Sequence, residues 1–165
     1  MLSRTALVVS LLTLAGCGFH LRGTAEVPFQ TLYLPSADSG IALDLKRYFQ
    51  AGTNARVVDD PKQAEAILAF TGENREKNIL SLTGAGRVSE FQLRYRVGFR
   101  VHDGKGGDYI PLTSFALTRD ITFSDTDVLA KEAEEQLLFR DMQSDMVQQI
   151  MRRLAASRKP VAKVP

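Results

Sequence analysis

The stretch that decides the fold of this chain is Phe91-Gln92-Leu93-Arg94-Tyr95-Arg96-Val97-Gly98-Phe99-Arg100-Val101. Its large apolar residues alternate one by one with smaller or polar ones, and arginine occupies three of the alternate positions. Successive side chains of a β-strand point to opposite faces of a sheet, whereas a helix would spread this pattern around its circumference. The pattern therefore predicts a long strand with one apolar face and one basic face.

The sequence on both sides of this strand predicts more strands. Gly104-Lys105-Gly106-Gly107 supplies a turn, and residues 109–123 are expected to return as a second long strand, which completes a hairpin. Apolar residues on one side of the return strand are Phe115, Leu117, Ile121 and Phe123. Residues 31–34 and 56–58 are expected to be short extended pieces. Residues 66–75 predict a further strand, which continues irregularly to Leu82.

Two segments carry the apolar spacing of helices. The first is expected to be capped by Ser39, to place Ile41, Leu45, Tyr48 and Phe49 on one face, and to end at Gly52. The second follows a cap at Ser124 or Asp125 and is long and one-sided. Its apolar positions are Leu129, Ala133, Leu137, Leu138, Met142, Met146, Ile150 and Leu154.

The order strand, helix, strands, helix defines the fold class. Both helices can cover the same face of one sheet, so the sequence predicts an α+β two-layer sandwich. Because only one layer of helices is available, the opposite face of the sheet, which carries Arg94, Arg96 and Arg100, is expected to meet solvent or a partner.

Composition is that of one folded domain. The chain has 165 residues, 44% of them hydrophobic and 24% charged, which is ordinary for a globular protein. We place the domain at residues 30–157 and expect residues 158–165, with two prolines and two lysines, to be a disordered tail. A formal net charge of +2 favours no class of partner, so any anion must be recognised by a local cluster.

The N-terminus predicts a membrane anchor. After Arg4 an apolar run ends in Leu14-Ala15-Gly16-Cys17, a run too short to span a bilayer and typical of a signal-peptide core. Small residues directly before a cysteine match the lipoprotein cleavage site. We therefore predict a signal peptide at residues 1–16, lipidation of Cys17 and a lipidated tether at residues 17–29. The alternatives are an ordinary secretory cleavage site and a buried helix that happens to contain cysteine.

The same cysteine limits the chemistry of the mature chain. Cys17 is the only cysteine, so its acylation leaves no disulfide, thiol nucleophile or thiolate metal site. The sequence predicts no metal and no cofactor. It also predicts attachment to a membrane through lipid, because two acyl chains on one residue anchor stably.

Catalytic patterns are weak throughout the sequence. His20 falls in the tether and His102 at the end of a strand, and neither has a partner that the sequence identifies. The glycines of Gly84-Ala85-Gly86 join two strands and do not open a helix, so they predict a hairpin turn rather than a phosphate loop. We therefore predict that the protein is not an enzyme. A hydrolase that pairs His102 with a carboxylate is a weaker hypothesis.

Basic residues form the strongest candidate for a binding surface. Arginines and one lysine that could hold phosphate groups are Arg87, Arg94, Arg96, Arg100, Arg119 and Lys131. The alternative is a solvated sheet face with scattered arginines. Arg119 is unusual because it falls on the apolar side of its strand, where it must reach solvent, pair with a carboxylate or bind an anion. No aromatic residues interleave on the basic face, which argues against single-stranded nucleic acid as a ligand.

Several short motifs, in order, resemble one protein family. They are Cys17-Gly18-Phe19-His20-Leu21-Arg22-Gly23 at the anchor, Ser89-Glu90-Phe91-Gln92-Leu93 in the alternating strand, Tyr109-Ile110-Pro111 in the return strand and Leu129-Ala130-Lys131-Glu132 in the last helix. Together they resemble the LptE family of lipopolysaccharide-assembly lipoproteins, and the resemblance covers nearly all of the mature domain.

The resemblance implies a fold, a partner and a location. The fold is two helices on a mixed, mainly antiparallel four-stranded sheet. The protein would lie on the periplasmic side of the outer membrane of a Gram-negative bacterium, plug the large β-barrel LptD, assist its assembly and with it place lipopolysaccharide in the outer leaflet. Gly18 after the cysteine fits sorting to the outer membrane.

The resemblance also implies a lipopolysaccharide site. In the family, basic residues before the alternating strand and at the start of the last helix bind this lipid. Lys131 matches the second position, and Arg87 lies near the first, which leaves open whether Arg87 or the neighbouring Arg94 and Arg96 hold phosphate; Arg119 is a further candidate. The alternative function is a pilotin-like or envelope-scaffold lipoprotein that serves another outer-membrane complex.

Overall fold

The computed structural model describes residues 25–35, 38 and 40–160 as an α+β sandwich. Its strands are β1 (Thr31–Tyr33), β2 (Arg56–Val58), β3 (Ala66–Leu82), β4 (Val88–His102) and β5 (Asp108–Thr122). Its helices are α1 (Gly40–Gly52), α2 (Val128–Ala155) and a short 3-10 turn, Pro61–Gln63. The predicted strands and helices are all present, and both helices pack on one face of the sheet, as the fold class required.

The sheet has the order β2-β1-β3-β4-β5. The last three strands form an antiparallel meander, whereas β1 pairs in parallel with both β2 and β3. The expected number of four strands was wrong, because the extended piece Arg56–Val58 joins the edge of the sheet. Three residues are too few to mark an edge strand in the sequence, and only the crossover through α1 brings them beside β1.

The alternating strand forms the centre of the core, as predicted. Five of its side chains are completely buried, namely Leu93, Tyr95, Val97, Phe99 and Val101. Phe115 and Leu117 of β5 pack beside them. Burial of several large side chains at about 1.5–3 kcal/mol each makes this face the main source of stability.

A β-bulge divides β3 into two parts. The register shifts between Phe70 and Gly72, and beyond this point the helix-facing positions of β3 are Glu73, Arg75 and Lys77 rather than aliphatic residues. On β4, a Cβ added to Gly98 would lie 2.6 Å from Thr71 Oγ1. The bulge thus coincides with a position where the neighbouring strand has no side chain.

Helix α1 lies over the end of the sheet formed by β1 and β2. Ile41, Leu45 and Phe49 are buried as predicted, and the helix ends at Gly52. The assignment of Tyr48 to the buried face was wrong, because its side chain lies at the edge of that face and is 47% exposed. Ser39, the predicted cap, falls outside the described residues.

Helix α2 begins later than its predicted caps. The capping residue is Asp127, whose side chain makes no capping hydrogen bond, so the expectation of a cap at Ser124 or Asp125 was wrong. Ser124 and Thr126 instead hydrogen-bond each other through their hydroxyl groups at 2.7 Å. The polar groups of this loop are therefore satisfied within the loop and leave the helix start free of a side-chain cap.

The C-terminal half of α2 packs against the sheet and α1. Its buried residues are Phe139, Met142, Met146, Val147, Ile150 and Leu154. The prediction that Leu129 and Leu137 belong to the same buried face was wrong, since they are 82% and 52% exposed. The reason is the short length of α1, which leaves the first turns of α2 without a neighbouring helix.

Two contacts fix the relation of the helices. Gln143 Nε2 donates to Asp44 Oδ2 at 2.6 Å, and a Cβ on Gly52 would lie 3.9 Å from Met151 Cε. The contact positions advance equally along both helices, so α1 and α2 run in the same direction. Residues 128–138 of α2 extend beyond the start of α1.

Chain segments next to the predicted domain boundaries also pack. Phe29, assigned to the tether, is 2% exposed, and its ring lies 6.2 Å from Phe49 and 5.2 Å from Tyr109. The described residues from Ala25 to Phe29 therefore contact the domain, whereas a lipidated tether at residues 17–29 stays a prediction. A Cβ on Gly107 would meet Pro160 Cβ at 2.6 Å, so the described start of the tail lies against the β4–β5 turn. The disorder predicted for residues 158–165 stays a prediction.

Candidate functional site

Three segments meet at one end of the molecule, which we call the tip. They are the β3–β4 turn at residues 83–87, the β5–α2 loop at residues 123–127 and the overhanging part of α2 at residues 128–138. The turn is closed by hydrogen bonds from Thr83 N to Arg87 O at 2.7 Å and from Gly86 N to Thr83 O at 2.9 Å. Gly86 has φ +76°, a conformation that favours glycine. Both predicted glycine turns are confirmed as strand connections.

Two of the predicted binding residues come together at the tip. Arg87 lies on one side of the β5–α2 loop, with Nη1 3.8 Å from Asp125 Oδ2. Lys131 lies on the other side, where Nζ donates to Thr122 Oγ1 at 3.0 Å and is 2.9 Å from Glu134 Oε2. The Arg87 pair is largely exposed and the Lys131 pair partly so, and such pairs contribute at most about 1 kcal/mol each. A more highly charged anion can therefore displace the carboxylates.

Exposed apolar side chains lie in the segments that form or adjoin the tip. The large apolar residues exposed at or next to the tip are Ile79, Leu80, Leu82, Val128, Leu129 and Leu137. Phe91 and Phe123 pack edge to face beneath them, with ring centroids 5.2 Å apart. A cluster of exposed apolar residues beside cations is unusual for a solvated surface and marks a binding surface for an amphiphile or a protein.

A further cation at the tip was missed by the sequence analysis. Lys77 Nζ lies 2.6 Å from Glu135 Oε2 and 4.4 Å from the centroid of the Phe91 ring. It lines a shallow depression together with Leu129 and Gln136 of α2. The period-two spacing of Glu73, Arg75 and Lys77 in β3 is the sequence signal that could have found it.

Arg94 and Arg96 lie elsewhere, on the sheet face away from the helices, which we call the open face. Arg94 is opposite Glu76 and Thr118, and its Nε is buried without a hydrogen-bond partner among the described atoms. Arg96 lines a shallow depression with Leu112, which is 70% exposed. The open face is therefore a mixed polar surface, and its basic residues lie on a different part of the molecule from Arg87 and Lys131 at the tip.

Arg119 and Arg100 are held by carboxylates. Arg119 points to the helix side and donates from Nη2 to Asp145 Oδ2 of α2 at 3.1 Å. Of the three possibilities open for this residue, pairing with a carboxylate is the one that the structure adopts. Arg100 Nε lies 2.6 Å from Asp108 Oδ1 on the open face. The six basic candidates thus divide among the tip, the open face and the helix–sheet junction.

Three titratable groups have shifted pKa values, and one of them is Tyr109, whose pKa is raised by burial. Burial, with a smaller contribution from its hydrogen bond to Glu73, raises the pKa of Tyr95; the hydroxyl donates to Glu73 Oε1 at 2.8 Å. Backbone N–H groups of Lys105 and Gly107 lower the pKa of Asp103. All three shifts have structural causes, which are burial for the two tyrosines and turn hydrogen bonds for Asp103, and none involves Arg87 or Lys131.

The remaining candidates lie apart from any chemical cluster. His102 Nδ1 accepts a hydrogen bond from Gly104 N at 3.1 Å, a structural role in the β4–β5 turn. No group of three His, Cys, Asp or Glu residues in the described ranges could hold a metal ion. No helix in the described part of the chain is long and apolar enough to cross a membrane. Cys17 and the signal segment lie outside the described residues.

Solved structures share this sandwich of two helices on one sheet. A lipoprotein B from Nitrosomonas europaea, solved by NMR, is 44% identical, with a TM-score of 0.72 over 84% of this chain and 91% of that one. The rare lipoprotein B from Shewanella oneidensis is 23% identical and shares the fold, with a TM-score of 0.67 over 77% of this chain and 95% of that one. The class is thus an α+β domain found in bacterial lipoproteins.

Sequence comparisons identify the family. The family model for LptE, described as lipopolysaccharide-assembly, matches residues 27–154, and the chain belongs to this family. An LPS-assembly lipoprotein LptE from Yersinia enterocolitica is 33% identical over 88% of this chain and 72% of that protein. One from Pectobacterium atrosepticum is 32% identical over 88% of this chain and 80% of that protein. The resemblance inferred from the short motifs is confirmed.

Proposed function

We propose that this protein is a non-catalytic lipoprotein of the outer membrane that plugs the β-barrel LptD, assists its assembly and with it delivers lipopolysaccharide to the outer leaflet. In this proposal the tip binds the lipid. The observation that carries it is the placement of Arg87 and Lys131 beside exposed Leu82 and Leu129. Lipopolysaccharide offers phosphate groups next to acyl chains, and this surface offers cations next to apolar side chains.

The division of the basic residues supports a choice among them. Lys131 and Arg87 are the primary phosphate ligands in the proposal, because both contact residues at the end of β5 or in the β5–α2 loop, next to the exposed apolar residues of the tip. Arg94 and Arg96 lie on the open face, and Arg119 is engaged by Asp145. These three residues are secondary ligands, available to further phosphate or sugar groups of a large ligand.

The open face supports the barrel part of the proposal. No helix of the described residues covers it, and it carries arginine, asparagine and threonine on neighbouring strands. The lumen of a large outer-membrane barrel is polar and can be filled by a plug. A flat polar surface that satisfies its own backbone within a sheet can contact such a lumen without burying unpaired polar groups.

Attachment through Cys17 places the domain at the membrane. Two acyl chains give stable anchoring without a spanning helix, and the sequence motif Leu14-Ala15-Gly16-Cys17 supports this modification. A Cys17→Ser variant is expected to lose incorporation of labelled palmitate and to leave the membrane fraction. Retention of the label in this variant would refute the anchor.

The barrel is tested by recovery of the lipidated protein from outer membranes under mild detergent. Bound protein and lipid are identified by mass. Recovery of a large β-barrel together with lipopolysaccharide is the expected result. Recovery of a secretin or cell-wall fragments would favour a pilotin-like or scaffold function instead. Recovery of a free monomer alone would contradict the proposal that the domain plugs a barrel.

The lipid site is tested by charge reversal. The double variant Arg87→Glu/Lys131→Glu is expected to weaken lipopolysaccharide binding at least tenfold, with a loss that diminishes at high salt. The matched control is Lys62→Glu/Lys105→Glu, which reverses two exposed lysines at the opposite end of the sheet. Equal lipopolysaccharide affinities of the tip variant, the control and the unchanged protein would show that the tip is not the binding site.

A further inference from the structure

A cleft of about 350 Å³ lies between the two helices at the end of the molecule opposite the tip. Ala51 and Gly52 of α1 form one wall, and Met151 and Ala155 of α2 form the other. The half-exposed ring of Tyr48 lies at its edge. Most of this lining is apolar, so water in the cleft is easily displaced by an apolar group.

The N-terminal chain enters the domain at the wall of this cleft. Ala25 is one of the lining residues, and its N–H donates to Gly52 O at 2.7 Å. A parallel bridge between Ala25 and Thr53 fixes the direction of the chain there. Ala25, the first described residue, therefore lies at the cleft.

Two large apolar residues lie within reach on this segment. Leu21 and Phe19 precede Ala25 by four and six residues, which corresponds to about 13 and 20 Å of extended chain. In an extended segment their side chains point to the same side, whereas His20 between them points to the other. Only residues 19–21 need to be extended: a turn between Leu21 and Ala25 would bring both apolar groups back to the cleft while His20 faces water.

We propose that the segment Phe19-His20-Leu21 docks into the cleft between α1 and α2. Docking leaves two peptide units between Cys17 and the first docked side chain, or about 7 Å of free chain instead of about 26 Å for an undocked tether. The lipid anchor then holds this end of the helices against the membrane and directs the tip away from it. The proposal depends on neither LptD nor lipopolysaccharide.

Engineered disulfides test the position of the segment in the lipidated protein. The pair Leu21→Cys/Ala51→Cys joins the segment to the cleft wall, and the matched control pair Leu21→Cys/Gln50→Cys uses the next residue of α1, which does not line the cleft. A disulfide requires Cα atoms about 4.4–6.8 Å apart. Nearly complete cross-linking of the first pair and little of the second, measured by peptide mass, is expected. Equal yields, or no yield for the first pair, would overturn the proposal.

The fluorescence of a single tryptophan can distinguish a docked segment from one inserted in the membrane. The chain contains no tryptophan, so Phe19→Trp reports on its own surroundings when the lipidated protein is placed in phosphatidylethanolamine–phosphatidylglycerol nanodiscs. We expect blue-shifted emission, no quenching by lipids brominated on their acyl chains, and a red shift when Ala51→Arg is added. Quenching by brominated lipids, or emission of a solvated indole without Ala51→Arg, would overturn docking.

The acyl chains of the anchor are the competing occupant of the cleft. Ala51→Trp places the fluorophore on the cleft wall and is read in the same nanodiscs. Absence of quenching by brominated lipids is expected if the protein segment fills the cleft. Strong quenching would mean that lipid occupies it and would overturn the proposal. Ala51 is exposed, so neither of its substitutions disturbs the core, which circular dichroism verifies.

Discussion

The two halves of α2 have similar apolar spacing, but the apolar side chains are buried in one half and exposed in the other. The C-terminal half buries Met146, Ile150 and Leu154 completely, whereas Leu129 in the first turn is 82% exposed. The difference arises from the neighbour: α1 covers one side of the later turns, and the earlier turns extend past its start. An amphipathic pattern thus defines a face that can be buried, and the second helix decides how much of it becomes core.

The interface beneath the two halves differs as well. Under the C-terminal half, aliphatic and aromatic side chains of β4 pack in the core. Towards the tip, Lys77 lies 4.4 Å from the centroid of the Phe91 ring and 2.6 Å from Glu135 Oε2 of the overhang. One half is held by apolar burial, and the other by individually weak polar and cation–π contacts. The tip is therefore the part of the domain that can change its contacts at low cost.

The largest expected effect is the difference in stability loss when one apolar residue is truncated in each half of α2. Ile150→Ala is expected to lower the free energy of unfolding by about 2–5 kcal/mol through lost burial and a cavity. Leu137→Ala, at a half-exposed position in the overhang, should change it by about 0.5 kcal/mol or less. Urea denaturation of the non-acylated chain measures both. Equal losses would show that the overhang is part of the cooperative core.

Amide hydrogen exchange should show the same difference between the overhanging and the packed parts of α2. Amides of residues 146–154 are expected to exchange about a hundredfold more slowly than those of residues 131–138, because the former open only with the core. Mass spectrometry of peptides from the two segments provides the measurement. Uniform protection along α2 would contradict the division.

Alkaline pH is expected to lower the stability of the core through the deprotonation of Tyr95. The raised pKa of Tyr95 means that the folded state keeps this proton where an unfolded tyrosine loses it. The resulting stabilisation is complete below about pH 10 and declines as pH rises above it. Tyr95→Phe should cost about 1 kcal/mol at neutral pH through the lost hydrogen bond and should show a shallower alkaline decline.

The control for this titration is Tyr109→Phe. Burial also raises the pKa of Tyr109, with smaller contributions from Glu65 and Asp103, so this residue accounts for part of any decline that remains. Unfolding free energies between pH 8 and pH 11 are compared for both variants. Parallel curves for Tyr95→Phe and the unchanged protein would refute the assignment to Tyr95.

The smallest effect is expected at the polar contact that ties the overhang to the sheet. Glu135→Gln removes the charge opposite Lys77 and should lower stability by less than about 1 kcal/mol, with a smaller loss at high salt. A double-mutant cycle with Lys77→Met isolates the pair. A coupling free energy well above 1 kcal/mol would mean that the tip is more rigid than the comparison indicates.

Local periodicity predicted where the strands and helices lie and which face of each is apolar. The alternation of residues 91–101 predicted the apolar and basic faces of β4, and the glycine turns predicted the meander. The same reasoning failed for β2 as a sheet member, because three residues carry too little pattern, and for Tyr48 and Leu129, because burial depends on which element lies alongside. The candidate site was predicted residue by residue in Arg87 and Lys131, whereas Lys77 and the exposed apolar residues of the tip were missed.

The sequence by itself determined the strand and helix segments, the alternation that makes one sheet face apolar and the short motifs that identify the LptE family. These features are local, so they follow from backbone periodicity and residue type. Only the tertiary structure decided that Arg87 and Lys131 meet at the tip while Arg94, Arg96 and Arg119 lie elsewhere. The physical reason is that such placement depends on strand register and on the length of α1 relative to α2, which no single segment encodes.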